Sequence, residues 1–491
     1  MRVTGPRRTV RMRRRWVATV AALGTVALLA GCTSAPEAAT TGPASPSASS
    51  AAPASQSSAR AAALSPSPSA SAPVAAPTPE SPSAAPAPAT TPTPAPTPAL
   101  PVAPGSLVTD ADVAQATAAV AGMSIPDQAG MVVMANSAQA VGSDLVSRLH
   151  LGGVILMGSK GAIDGTSSGT PDQVAAVTAE LQSQVPASQA GAPLLIATDQ
   201  EYGLVTRLVN GFTDFPGTAE LSSISPQDAA VAQTKKVTAA AGAELLAVGI
   251  NVDFAPDADV VPASGSSAIG ERSFGSDPQR DAALVAAAVE GYQSSGLAAT
   301  IKHFPGLGRI SADTHESLPT LDVACPEWNA VESVPMRGGV DAGVALVMTG
   351  HVLVPAVGTT DVPSSISSAV VTDLLRGAGR DGCNGLGFTG VTVSDAMEMA
   401  PISQNYSPGE AAWRAVAAGQ DLVLMPTNPE AAVAGIITAA GNGSLAPAQL
   451  QQAAARVYAL RLALARAQQP GLDVVGSAAH EAIAAQARGA G

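Results

Sequence analysis

The chain has 491 residues, of which 25 are basic and 38 acidic, for a formal net charge of −13; 46% are apolar and only 3% aromatic. So acidic a chain is a poor partner for nucleic acid or an anionic lipid surface, both of which select clustered Lys and Arg. The length allows two or three average domains, but composition withdraws much of it from any core.

Residues 2 to 15 hold seven arginines and no acid, and an apolar run from Trp16 to Ala30 leads into Leu29-Ala30-Gly31-Cys32. The run is too short to span a bilayer and closes on a small-residue cleavage site, which marks an export signal rather than a membrane helix. These four residues resemble the lipobox of bacterial lipoproteins. The resemblance implies a signal peptide over 1–31, lipidation of the Cys32 thiol, and an extracytoplasmic protein held to the outer face of the bacterial cell membrane by that anchor. Without the signal, 18 basic residues face 38 acidic ones.

From Thr33 to about Pro104 the chain is almost wholly Ala, Pro, Ser and Thr, with Glu37, Arg60 and Glu80 its only charges. Such a segment buries too little apolar surface to fold. Its proline density favours extended geometry at about 3.1 Å per residue, so roughly 70 residues reach on the order of 200 Å. Residues 32–104 are therefore expected to be a disordered spacer able to carry a domain into the cell wall.

Residues 105–468 repeat one pattern, a short apolar run, a polar or glycine-rich turn and an amphipathic helix. The runs are MVVMA from Met131, VILM from Val154, LLIA from Leu194, INVDF from Ile250, ATI from Ala299, ALVM from Ala345, VTV from Val391 and DLVLM from Asp421. Helices are expected from Pro171, Pro226 and Pro278, each opened by proline and an acidic first turn. Eight such units over roughly 350 residues predict a (β/α)8 barrel, with a doubly wound open sheet as the alternative. Residues 469–491 read as a weak tail. Cys325 and Cys383, an even pair in an exported protein, permit a disulfide; two separate buried thiols are the alternative.

Charged residues gather where the runs end. Asp199 and Glu201 follow LLIAT, Asp257 and Asp259 follow INVDF, Lys302 and His303 follow ATI, His351 follows ALVMTG, and Asp395 follows VTVS. In a barrel those ends share one face, where active sites of this architecture are built. The stretch KHFPGLGRISADTHESLP, residues 302–319, has no helical or strand period and reads as one flexible loop carrying His303, Asp313 and His315.

Histidines and aspartates of this kind are metal-ligand types. No HExxH or comparable helical pair occurs, however, and Phe304-Pro305-Gly306 reads as a rigid turn, so no metal is expected. A non-catalytic wall-binding module would use aromatic platforms that this chain supplies poorly; Trp413 reads as core.

The segments LLIATDQEYGLVTRL, IGERSF, KHFPGLGRISADTHESLP and VTVSDAMEM resemble, in that order, the strand-end motifs of family 3 glycoside hydrolases, and among them the single-domain bacterial β-N-acetylglucosaminidases. The resemblance implies Asp395 as catalytic nucleophile and His315 as general acid/base oriented by Asp313. It implies that Asp199, Arg207, Arg272, Lys302 and His303 grip the hydroxyls and acetamido group of a terminal sugar, with no cofactor. The implied reaction is retaining, exo-acting release of N-acetylglucosamine from cell-wall-derived glycans or muropeptides, as in peptidoglycan turnover. Oligomeric state stays open.

Three departures from the family pattern stand out. Leu307-Gly308-Arg309 stands where His-Gly-Asp is common, Tyr202 where a glycine is, and Leu204 where an arginine is. Retaining glycosidases usually divide the work between two carboxylates about 5 to 5.5 Å apart. An imidazole suits the second role because it changes charge near neutral pH and a neighbouring carboxylate fixes its tautomer. A neutral imidazole also imposes no repulsion on an incoming phosphate dianion, which leaves phosphorolysis as an alternative; Arg309 either adds positive charge there or points into solvent.

Overall fold

A computed structural model describes residues 100–491 with the exception of residue 190. The signal peptide, Cys32 and most of the spacer lie outside the described residues.

Each of the eight apolar runs forms a strand: β1 Val133–Asn136, β2 Gly153–Ile155, β3 Leu195–Thr198, β4 Val252–Asp253, β5 Ala298–Phe304, β6 Leu346–Thr349, β7 Val391–Ser394 and β8 Val423–Leu424. Neighbours in sequence are neighbours in space, and every pairing is parallel. β1 pairs with β8 through Val133↔Val423 and Met134↔Leu424, and a parallel bridge Val393↔Leu422 joins β7 to β8. The sheet thus closes on itself as a (β/α)8 barrel, where a doubly wound sheet would keep two open edges. Closure explains the composition of the strands. Burial on both faces favours continuous apolar runs over alternation, and all seven residues of β5 are buried.

The helices start where the sequence signals them. Proline occupies the first turn of Pro171–Ser183, Pro278–Ser294, Pro408–Ala418, Pro429–Asn442 and Pro447–Leu464, where its missing N–H costs nothing. The helix expected from Pro226 spans Gln227–Ala247, with Pro226 at its cap. Thr109 and Ser124 cap the first two helices, each reciprocated by an aspartate, Asp112 and Asp127. Trp413 packs half-buried against the core, with the Arg414 guanidinium 5.2 Å from its ring centroid.

The ends of the domain differ from expectation. Leu100 belongs to the core, and residues 100–103 line a small cavity with Val113, Ala345 and Val391, so the fold begins before residue 105. The tail is folded as well, with a turn at Leu472–Val474 and a helix at Ala478–Arg488 packed on Gln227–Ala247. Its buried residues are only Ala484 and Ala487, too slight an apolar stripe to register as a period. Cys325 is bonded to Cys383, with Cα atoms 4.5 Å apart, which ties helix Cys325–Ala330 to the small hairpin of Gly379–Arg380 and Cys383–Asn384.

Candidate active site

The C-terminal ends of the strands open into a cavity of about 560 Å³. Asp199, Arg207, Arg272, Lys302, His303, Asp313, His315 and Asp395 all line it, so the barrel brings together every residue singled out for catalysis or sugar binding.

At its base stands Glu201, which sequence reasoning had noted only as one strand-end charge among several. It is 6% exposed and binds two cations at once. Its carboxylate accepts Arg272 Nε at 2.8 Å and Nη2 at 2.9 Å, and lies 2.6 Å from Lys302 Nζ. Lys302 also reaches Asp199 at 3.1 Å, and Asp199 lies 3.3 Å from Arg207. Burial opposes the charge on Glu201, but Lys302 and Arg272 outweigh it and hold the carboxyl well below its usual range. Burial likewise opposes the Lys302 ammonium, and Glu201 and Asp199 reverse it, raising the group above its ordinary value. A bidentate pair of this kind fixes orientation as well as charge. The result is a rigid, ionised floor.

Gln200 builds the loop after β3. Its Oε1 accepts the Arg207 and Leu208 N–H groups, both at 2.9 Å, and its Nε2 donates to the Leu208 carbonyl at 3.0 Å. Its own N–H donates to Asp253, whose carboxyl burial pushes well up. Arg207 is thereby set beside Asp199. Tyr202, where a glycine was the family pattern, adopts the left-handed region at φ 64° and packs edge-on against Phe215 at 5.4 Å. Leu204 stands at the cavity rim with 71% of its surface exposed.

His303 does not sit on a flexible loop. β5 runs through Phe304, so Lys302 and His303 are strand residues and buried, and only Asp313 and His315 are on the exposed loop beyond. His303 Nδ1 donates to Asp259 at 2.8 Å, which leaves Nε2 toward Arg272 at 3.3 Å. Asp259 also accepts the Leu307 N–H at 2.6 Å and so anchors the start of the loop.

Asp257, Asp259 and His303 offer ligand atoms within 4.8 Å of one another. The Arg272 guanidinium already supplies the cation there, 3.6 Å from Asp257. Burial and the neighbouring Asp259 push the Asp257 carboxyl well up, toward its neutral form. The cluster suits a hydrogen-bond relay that fixes an imidazole better than a metal.

Asp395 follows β7 directly. Its N–H donates to the Thr349 carbonyl at 2.8 Å and its Oδ1 accepts the Ala396 N–H at 2.8 Å. Burial opposes its ionisation, but His351, His303, the Ala396 N–H and Lys302 together hold the carboxyl below its usual range. His351 is fully buried; its Nε2 donates to the Ala396 carbonyl at 3.0 Å and its Nδ1 meets Ser365 Oγ at 2.7 Å. Burial keeps that imidazole toward its neutral form.

Across the cavity, His315 Nδ1 lies 2.8 Å from Asp313 Oδ1, which also accepts the His315 N–H at 2.8 Å. The His315 carbonyl accepts the Ala400 N–H at 3.1 Å, a direct tie between this loop and the one bearing Asp395. Arg309 does not line the cavity and stays partly exposed. It pairs with Glu332 through Nε and with Glu327 at 2.8 Å.

A carboxylate, a carboxylate-backed imidazole and an ionic floor are thus gathered in one cleft at the C-terminal face of a closed barrel, the face on which enzymes of this architecture build their active sites. Residues 121–460 match the family model described as Glycosyl hydrolase family 3 N terminal domain, and the chain belongs to that family. It is 34% identical over 296 residues to Beta-hexosaminidase A of Pseudoalteromonas piscicida, covering 58% of this chain and 47% of that protein. It is 37% identical over 238 residues to a Beta-hexosaminidase of Stenotrophomonas maltophilia (strain K279a), covering 48% and 67%. Among solved structures, a glycoside hydrolase family 3 beta-N-acetylglucosaminidase from Paenibacillus sp. str. FPU-7 superposes with a TM-score of 0.66 at 34% identity, covering 74% of this chain and 68% of that one. The chain thus spans about half the length of the first relative and about two thirds of the other two.

Proposed function

We propose that this protein is a retaining, exo-acting β-N-acetylglucosaminidase that releases terminal N-acetylglucosamine from cell-wall-derived glycans or muropeptides. The observation that carries the reading is the shared cavity: Asp395 and the Asp313–His315 pair open onto the same space as the Glu201–Lys302–Arg272 floor. At about 560 Å³ it falls within the usual range for small-molecule sites, roughly 300 to 1,000 Å³.

Lys302, Asp199 and Arg207 offer donors and acceptors to the hydroxyls of the terminal sugar, and Arg272 and His303 to its acetamido side. Asp395 attacks the anomeric carbon as the glycosidic bond breaks, and His315 gives its Nε2 proton to the departing oxygen. In the second step His315 takes a proton from water, whose oxygen displaces Asp395 and returns the sugar with its original configuration. Asp313 holds the His315 tautomer through both steps. Because the imidazole is exposed on a loop, it can approach the leaving group and withdraw as product leaves.

Arg309 is committed to Glu332 and Glu327, so the positive charge that would have favoured an incoming phosphate is spoken for; water is the acceptor in this reading. A lipid anchor at Cys32 and the proline-rich spacer would place the barrel outside the cell, within reach of wall fragments.

The test uses purified protein with an aryl β-N-acetylglucosaminide beside the matching β-glucoside, with and without millimolar phosphate. Preferential turnover of the first to free sugar is expected. Preference for the glucoside, or sugar 1-phosphate as the main product, would overturn the assignment.

A further inference from the structure

The loop after β3, residues 199–217, carries Asp199, Glu201 and Arg207, so its shape sets the sugar-facing floor. Gln200 secures its inner half. Its outer half is secured from elsewhere, by residues 471–491, which lie beyond the 121–460 span matched to the family.

The junction is Glu244, on helix Gln227–Ala247 and fully buried. One carboxyl receives four donors. Two come from the loop, the Thr213 N–H at 3.0 Å and the Thr213 hydroxyl at 2.5 Å. Two come from the later segment, the Gly476 N–H at 3.1 Å and His480 Nδ1 at 2.9 Å. Phe215 sits between Tyr202, edge-on at 5.4 Å, and the tilted His480 ring, at 6.1 Å, so the imidazole also backs the residue that follows Glu201. Arg488 donates to the Asp214 carbonyl at 2.7 Å and to its carboxylate at 3.0 Å. Gly476 passes so close that a Cβ on it would lie 2.4 Å from the Gly211 carbonyl oxygen.

Packing alone gives a poor reason for this docking. Helix Ala478–Arg488 fully buries only Ala484 and Ala487 and half-buries Ile483 against the core, a small apolar area at about 25 cal/mol per Å². The segment reaches the loop directly at Asp214 through Arg488, at Phe215 through the His480 ring and at Gly211 through Gly476, and reaches Thr213 through the shared Glu244 carboxyl; outside the loop Gln486 accepts from Lys236 and Arg488 approaches Glu220. We infer that residues 471–491 form a clamp that positions the sugar-gripping loop, with His480 as the positioning residue acting through Glu244 and Phe215. Its kinetic consequence rests on the glycosidase reading; its structural consequence does not.

Three full-chain variants test the clamp. His480→Leu removes the donor, His480→Asn keeps a nitrogen where Nδ1 stood, and the more exposed Arg488→Ala loosens the outer latch. Backbone hydrogen exchange over 203–217, 195–198 and 391–394 is measured beside kcat and KM for the aryl N-acetylglucosaminide. His480→Leu is expected to speed exchange over 211–217 while β3 and β7 keep their protection, and to raise KM about three- to tenfold with kcat changed less than about twofold. His480→Asn should restore both, and Arg488→Ala should give a smaller change of the same kind. Unaltered exchange, a rise spread equally over the barrel, or a faster-exchanging loop with wild-type KM would each overturn the clamp. If the parent enzyme lacks turnover the glycosidase reading fails by itself, and localised exchange that the asparagine restores still decides the docking.

Discussion

Glu201 shows how much of this site depends on a single carboxylate. Buried and shared by Lys302 and Arg272, it neutralises two cations that would otherwise repel each other at the base of the cavity. Breaking a buried pair costs about 3–5 kcal/mol because the remaining charge is stranded. Glu201→Gln should therefore lower stability by roughly 3 kcal/mol in urea unfolding and kcat/KM by about a hundredfold. A mild loss on both counts would mean that Asp199 alone can organise the cations. The sequence marks Glu201 as charged and at a strand end. It does not reveal the hub, because Arg272 and Lys302 lie 71 and 101 positions further along and meet it only when the barrel closes. Asp259 was hidden in the same way, its task of fixing His303 emerging only from the adjacency of β4 and β5.

At the scale of elements, loop 305–319 and helix Pro278–Ser294 carry separate expectations. If His315 is the proton donor, its replacement should hurt substrates with basic leaving groups far more than aryl ones, which depart as stable phenolates. Asp313→Asn should reproduce a milder form, and an equal loss across leaving groups would assign the loop to substrate positioning instead. In the helix, burial pushes the Asp281 carboxyl up to about 7, with Asp277 adding to the rise and Arg280 opposing it. Neither of its oxygens finds a partner among the described residues. The folded protein therefore binds that proton more tightly than the unfolded chain does. Stability from the neutral form is full below about pH 4 and is lost as pH rises through about 7. Asp281→Asn should accordingly raise Tm by roughly a few °C at pH 8 and leave it nearly unchanged at pH 4; a gain equal at both pH values would contradict the assignment. Helices with proline starts and acidic first turns were legible, as were eight apolar strands. The extension of β5 through Lys302 and His303 was not, because polar residues break an apolar run even where strand pairing continues, and helix Ala478–Arg488 was obscured by alanines that bury without announcing a face.

For the whole molecule, the closed barrel explains why charges scattered over two hundred residues of sequence form one site, since parallel strands place all their C-terminal ends on the same rim. The proposed anchor is independent of that rim. Cys32→Ala should release the protein from the membrane fraction with kcat unchanged, and a variant that still partitions with lipid would remove Cys32 from that role. What would join fold to function is the covalent role proposed for Asp395. The direct measurement is peptide mass spectrometry after treatment with a 5-fluoro N-acetylglucosaminyl fluoride, which slows breakdown of a glycosyl-enzyme. Asp395 as nucleophile predicts one sugar per chain on the peptide containing Val391–Ser394 and Asp395, absent in Asp395→Ala. A label on another carboxylate, or turnover of the probe with no covalent adduct, would contradict it.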